Sequence, residues 1–330
     1  MEYRFVGNTG VKVSQLAYGT MSFGGDADEK TSAELFHTCR EAGINFFDCA
    51  NMYQKGKAEE ILGKLIATCR DEVIISSKVY FNMSADVNAG GASRLHIRQA
   101  VEASLRRLNT DRIDFYFIHR FDDQTDLEQT LRMLDDLVRQ GKILYPMASN
   151  FAAWQVAKAL GISAALGLSR FAGIQPMYNL VKRQAEVELL PMALSEKLAV
   201  FSYSPLGGGL LTGKYLNHTA QENARLNTNK IYQTRYGEEQ VLDSATRFVS
   251  YAQEHGYDPA SLAVAWVASH PAITAPILGA RNVKQLESSL NALAIPMTKA
   301  MRAEISALSP APAPATDRNE EQSSFTFGVR

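Results

Sequence analysis

Four polar residues of the 330-residue chain have types and positions that could do chemistry together. Asp48 ends the apolar run of "INFFD", Tyr53 follows five residues on, Lys78 closes "EVIISSK", and His119 closes "RIDFYFIH". A buried carboxylate costs several kcal/mol unless it is paired, so Asp48 needs either water or a partner. Lys78 is such a partner. With the lysine held charged by Asp48, an ammonium within about 4–6 Å of Tyr53 stabilises the phenolate and lowers a phenol pKa that is ~10 in water. His119 can donate a hydrogen bond to a substrate oxygen. A tuned phenol and a hydrogen-bond donor suit reduction of a carbonyl, in which oxygen gains a proton as hydride reaches carbon. No side chain supplies hydride, so a nicotinamide cofactor is required. Ser149, Asn150 and Gln175 can pin its carboxamide, and Tyr203 offers an aromatic face for its ring.

Taken singly, each residue has a duller explanation: aspartates cap helices, lysines snorkel to water, and histidines settle into structural hydrogen bonds. Their shared position is what argues against coincidence. Short β-branched or aromatic runs begin near residues 15, 44, 72, 112, 142, 171, 198 and 274, alternating with segments of helical period. Most of the starts lie about 30 to 40 residues apart, the length of a strand–helix–strand unit. In "SRLHIRQAVEASLRRLN" the residues Leu95, Val101, Leu105 and Leu108 share a face and Ser93 can cap the start; the helix of "TDLEQTLRMLDDLVRQGK" stops at Gly141. Eight such strands predict an α/β fold, a closed (β/α)8 barrel of the TIM type, with an open doubly wound sheet as the alternative. In a barrel the strand C-termini form one mouth, and here those ends carry Asp48, Lys78, His119, Ser149 with Asn150, Gln175, and Tyr203 with Ser204.

The barrel is preceded by "YRFVGNTGVKVS", in which Asn8-Thr9-Gly10 is hairpin-turn chemistry, and it is interrupted by a Gly-, Asn- and Thr-rich loop over 206–240. One domain over 1–308 is expected, followed by a Pro/Ala-rich, then polar and mobile tail over 309–330, where Phe325 and Phe327 are the residues able to dock. Apolar residues make up 46% of the chain and charged residues 21%, enough for a large core. A net charge of −1 gives no general field for nucleic acid or an anionic membrane. Cys39, Cys49 and Cys69 show neither metal-ligand nor disulfide spacing, there is no leader or membrane-length apolar run, and a soluble cytoplasmic protein is expected.

Together these residues resemble the aldo/keto reductase family. The motifs are "GTMSFGG", "FFDCANMY", "IISSK", "FIHR", "ASN", "IQPMYN", "FSYSPLGGGLLTGKY" and "PILGARNVKQLESSL", in family order across residues 1 to about 295. The resemblance implies NADPH-dependent reduction of an aldehyde or ketone, with Asp48, Tyr53, Lys78 and His119 as the catalytic set and Tyr53 as general acid. It also implies cofactor contacts from Gly19, Thr20 and Met21; from Ser204, Pro205, Leu206, Gly208 and Lys214 over the pyrophosphate; and from Gly279, Arg281, Gln285 and Ser289 around the adenosine, with Arg281 on the 2′-phosphate. Arg225 is expected to close over the phosphates. The chain departs from the family pattern at Ser288-Ser289, where Glu-Asn is usual, at Gln54, where Gly is usual, and at Leu144, where a basic residue is common. Met21, Phe23, Tyr80, Phe81, Tyr178 and Tyr232 suggest an apolar or aromatic mouth.

Two rival functions are weighed: an NADPH-binding regulatory subunit of the potassium-channel β type, which resembles the same family, and a Schiff-base aldolase using Lys78, against which Asp48 argues by keeping the lysine charged. The stretch "GGLLTGKY" spells a phosphate-loop pattern, but Tyr215 stands where such loops need Ser or Thr, so a nucleotide triphosphatase is rejected.

Overall fold

The structure is a computed structural model that describes residues 1–215, 225–318 and 320. An antiparallel hairpin of β1 (Tyr3–Phe5) and β2 (Lys12–Ser14) precedes eight parallel strands: β3 (Ala17–Gly19), β4 (Phe46–Asp48), β5 (Ile74–Val79), β6 (Ile113–Ile118), β7 (Ile143–Ser149), β8 (Gly173–Gln175), β9 (Ala199–Ser202) and β10 (Ala275–Leu278). β10 pairs with both β9 and β3, which closes the barrel and rules out the open sheet. Gly10 takes φ +78° in the hairpin turn, a conformation that favours glycine.

The two-residue period of a strand sets the character of the barrel's two ends. On β4, Phe47 faces outward and meets Phe36 of the helix Glu29–Glu41 at 4.6 Å between ring centroids, whereas Phe46 faces inward toward Phe115 and Phe201 at 5.3 and 4.7 Å. Two residues on, Asp48 therefore points inward as well, at the opposite end. The N-terminal half of the interior is apolar, with Val6 and Val13 of the hairpin segment in the same cluster as Ala17, Phe46, Phe115 and Phe201. The hairpin is thus a plug at the bottom of the barrel, and the C-terminal end is left to polar side chains.

Outer helices complete each unit. Ser93 caps the helix Arg94–Leu108 by accepting from the His96 N–H, and Asp126 caps Leu127–Arg139, beyond which Gly141 turns at φ +70°. One expected core residue is misplaced: Leu95 is 51% exposed, and Ile97 takes the inner face with Val101, Leu105 and Leu108, because Ile97 stands one helical turn before Val101 whereas Leu95 falls off that face. The helix Lys57–Ile66 crosses Arg94–Leu108 so closely that a Cβ on Gly63 would lie 2.6 Å from the Leu108 carbonyl oxygen. Beneath that crossing the buried Glu59 carboxylate takes Arg107 Nε at 2.7 Å and the Ser77 hydroxyl.

The segment over 206–240 is more regular than expected. It contains a 3-10 turn at Gly207–Thr212 and helices at Arg225–Thr228 and Lys230–Tyr236, the last capped by Asn229, whose side chain accepts from the Ile231 N–H. Buried Tyr236 ties it down, accepting from Asn179 Nδ2 at 3.3 Å. At the other end of the chain, Arg183 donates to the Ser306 and Ser309 carbonyls and Trp266 Nε1 to Ser306 Oγ, holding the helix Lys299–Ser306 against the barrel. Phe325, Phe327 and the rest of 321–330, with residue 319, lie outside the described residues, which is half of the expected tail. Among the described residues no helix is long and apolar enough to cross a membrane.

Candidate active site

The end of β4 explains itself at atomic distance. The Asp48 carboxylate accepts from Lys78 Nζ at 2.6 Å, Ser76 Oγ at 2.7 Å and Gln175 Nε2 at 2.9 Å, so β4, β5 and β8 converge on one buried anion. Lys78, fully buried, also donates to the Cys49 carbonyl at 2.8 Å and reaches the Tyr53 hydroxyl at 3.5 Å. These contacts offset the desolvation of both charges. Tyr53 opens a tight turn, Tyr53–Gly56, in which Gln54 and Lys55 sit at φ +48° and +53°. That left-handed backbone gives the reason for the usual glycine at position 54.

The direction of the Tyr53 shift differs from the sequence expectation. Burial, and then the Asp48 carboxylate, hold the Tyr53 hydroxyl well above the usual phenol range. Lys78 lies within reach, but Asp48 answers its charge at 2.6 Å, so the phenol meets an ion pair rather than a lone cation in a site that disfavours phenolate. Tyr53 is therefore a protonated phenol at neutral pH.

His119 stands edge-on to Tyr53 with ring centroids 6.1 Å apart and to Phe81 at 5.1 Å. Burial, and then the Lys78 charge, push its pKa down to about 3, so the imidazole is neutral. Its Nδ1 is buried and has no hydrogen-bond partner among the described residues. Next to it, Asn150 Nδ2 donates to the His119 carbonyl at 2.9 Å while Asn150 Oδ1 accepts from Tyr203 OH at 2.7 Å. Ser149 Oγ donates to the Gln175 carbonyl at 3.0 Å. Asn150 and Ser204 both take left-handed backbone, φ +56° and +59°, just past β7 and β9; strain of this kind persists only where neighbours over-determine it.

A cavity of about 760 Å³ opens over these residues. Its walls include Gly19, Met21, Asp48, Tyr53, His119, Ser149, Asn150, Gln175, Tyr203, Ser204, Pro205, Leu206, Gly208, Lys214, Gly279, Arg281, Gln285 and Ser289, all expected from the sequence. Two expected residues stand behind the wall: Lys78, beneath Asp48, and Thr20, whose N–H and hydroxyl both donate to the Asp48 carbonyl. Arg225 begins its helix, but its side chain lies outside the described residues. Of the expected aromatic mouth, Phe81 and Tyr232 line the cavity beside Met21. Phe23 and Tyr178 are instead fully buried, the latter stacked on Trp266 at 5.2 Å, and Tyr80 packs edge-on against Phe81. Sequence reasoning missed Met52, Arg120, Thr212, Ile231, Arg235 and Asp258 in the wall.

The end of the cavity remote from Tyr53 fits an anionic ligand. Gly208 and Gly209 take φ +69° and +93°, and a Cβ on Gly209 would lie 2.8 Å from Lys214 Nζ, so the lysine lies across a bare backbone. Gly279 faces open space, and Arg281 is anchored through Nε to Asp26 at 2.9 Å. Asn282 caps the helix Val283–Leu290, and Gln285 Oε1 accepts from the Arg281 N–H.

Comparison with known proteins agrees with this geometry. The Aldo/keto reductase family profile matches residues 15–310. The chain is 38% identical to the uncharacterized oxidoreductase YrpG of Bacillus subtilis, over 94% of this chain and 97% of that one. It is 34% identical to a probable voltage-gated potassium channel subunit beta of Arabidopsis thaliana, over 89% and 91% of the two chains. A versiconal hemiacetal acetate reductase of Aspergillus parasiticus is 31% identical, over 90% and 94%.

Proposed function

The chain belongs to the aldo/keto reductase family of oxidoreductases, and on that premise we propose that it reduces aldehydes or ketones to alcohols with NADPH, using Tyr53 as general acid. The observation that carries the reading is the clamp of Lys78 between Asp48 and the Tyr53 hydroxyl at the floor of a cavity with basic residues at its far end. The cavity fits the cofactor. Lys214, lying across Gly209, suits a pyrophosphate, and the Arg281 ion pair through Nε would leave its Nη nitrogens to meet a 2′-phosphate, which NADH lacks. Ser149, Asn150 and Gln175 would hold the carboxamide and Tyr203 the ring. Bound there, a reduced nicotinamide supplies the hydride.

The protein's own residues handle the proton. Tyr53 keeps its proton until negative charge develops on the substrate oxygen, and then donates it. The phenolate that remains is stabilised by Lys78 Nζ at 3.5 Å, which is the step in which the ammonium matters. Neutral His119 donates to the same oxygen and orients it, adding no charge that would compete with Lys78. A Tyr53→Phe variant is expected to bind NADPH as the parent does, read by quenching of protein fluorescence, and to lose about 10²- to 10⁴-fold in kcat. Full activity in that variant would refute the acid assignment.

A regulatory, slowly turning-over NADPH binder is the second reading, favoured by the similarity to channel β-subunits. Steady-state NADPH consumption across a panel of aldehydes separates the two: turnover confined to less than about one per minute for every substrate, against a median near ~10 s⁻¹ for enzymes, would favour the regulatory role.

A further inference from the structure

Arg235 is the residue that the chemistry above leaves unused. It sits on the helix Lys230–Tyr236, half-buried, and its guanidinium lies 5.5 Å from the Tyr232 ring centroid. Among the described residues no carboxylate pairs with it. Elsewhere in the fold part-buried guanidiniums have acceptors: Arg70 has Asp114 at 3.0 Å, Arg107 has Glu59 at 2.7 Å and Arg183 has Glu186 at 2.8 Å, while Arg4 has the Ile273 carbonyl at 2.9 Å and Arg302 the Tyr178 hydroxyl at 2.9 Å. A partly desolvated cation without a counter-charge is unfavourable unless a ligand supplies one.

Arg235 lines the cavity beside Tyr232, whose ring covers the Gly208 backbone and stands close enough to Tyr53 to add to its upward shift, so the guanidinium lies between the glycine-rich turn and the reacting end. Its charge acts on the hydroxyls of Tyr203 and Tyr236, opposing the upward push of burial on both. Tyr203 in turn bonds Asn150, which holds the His119 backbone. The adenosine end has its own cation in Arg281. Around Tyr53 the wall is otherwise apolar, with Met21, Met52, Phe81 and Ile231, and Arg120 adds a second guanidinium next to His119. The acidic residues among the described lining are Asp48 and Asp258; Lys78 takes the first and Ser261 occupies the second.

We propose that the substrate is a carbonyl compound carrying a carboxylate, anchored by Arg235 while its carbonyl meets Tyr53 and His119. A planar guanidinium beside an aromatic ring keeps N–H edges for a two-oxygen acceptor, which favours a carboxylate over a neutral polar group. The carboxylate is not changed in the reaction; hydride adds to the carbonyl carbon and the Tyr53 proton to its oxygen. This assignment rests on the carbonyl-reductase reading above.

The test compares 4-carboxybenzaldehyde with 4-methylbenzaldehyde, which match in shape and differ in charge. The parent enzyme is expected to prefer the carboxylate by at least about tenfold in kcat/KM, as a charge-assisted bidentate pair implies. Arg235→Met should erase that preference through a rise in KM, Arg235→Lys should keep part of it, and the Kd for NADPH, read by fluorescence quenching, should stay within about twofold of the parent. Equal kcat/KM for the two aldehydes, or a loss of NADPH affinity in Arg235→Met as large as the loss of preference, would overturn the assignment. Calorimetric binding of 4-carboxybenzyl alcohol against benzyl alcohol, with and without NADP⁺, decides the question without turnover. If neither aldehyde is reduced the reductase reading fails, whereas Arg235-dependent binding of the charged alcohol still supports the carboxylate site and its absence sinks it.

Discussion

At the scale of single residues, the site is a problem of keeping one buried carboxylate satisfied. Asp48 has three donors from two neighbouring side chains on β5 and one on β8, and removal of its cationic partner leaves an unpaired charge under the barrel mouth. Lys78→Met is therefore expected to destabilise the protein by about 3–5 kcal/mol and to abolish turnover. Adding Asp48→Asn removes the stranded charge while an amide oxygen can still accept from Ser76 and Gln175. The double variant should recover most of that stability in urea unfolding and none of the activity. A double variant no more stable than Lys78→Met would mean that the lysine's packing, and not the ion pair, is what the site depends on. The pairing itself was legible in the sequence because a two-residue period puts Asp48 on the same face as Phe46. The direction of the Tyr53 shift was not, since it turns on whether Lys78 stands nearer the carboxylate or the phenol, a difference between 2.6 and 3.5 Å that no spacing encodes.

At the scale of elements, the same logic explains how the turn carrying Tyr53 is held. It runs directly into the helix Lys57–Ile66, which is anchored on the helix Arg94–Leu108 through Glu59 and Arg107 and by the close approach at Gly63. Arg107→Ala strands the Glu59 carboxylate, which is fully buried, and should cost about 3 kcal/mol, at the low end for such a loss because Arg107 is 22% exposed. Glu59→Gln keeps a hydrogen-bonding group there and should cost only about 1 kcal/mol. Equal losses for the two variants in denaturant unfolding would refute the stranded-charge account. Strands and their polar ends could be read in advance because alternation and run length are local properties. The helix Lys230–Tyr236 could not, since its composition is that of a loop and tertiary contacts, such as the Tyr236–Asn179 bond, hold it. Arg235 was missed for the same reason. Phe23 and Tyr178 show the converse: an aromatic side chain in a site-bearing segment turned inward to a core it could reach.

At the scale of the whole molecule, the barrel separates an apolar, plugged end from a polar one, and its buried histidines tie stability to pH. Burial and the Lys78 charge push His119 down to about 3, and burial with Arg302 pushes His270 down to about 4. The two lie far apart in function, one at the active-site mouth and the other edge-on to Tyr178 beneath the C-terminal helix. In the unfolded chain both titrate near ~6.5. Between that value and about 4 the unfolded state binds protons that the folded state refuses. The contribution is thus complete above pH ~6.5 and is lost as the pH falls, by about 1.4 kcal/mol per pH unit for each histidine. Urea midpoints measured from pH 7 down to 4.5 should fall steadily, and His270→Gln should flatten the slope by roughly one proton's worth without altering NADPH affinity. A midpoint that stays level between pH 6.5 and 5 would show that these imidazoles gain protons in the folded state, and the neutral His119 on which the proton-donor geometry depends would fall with it.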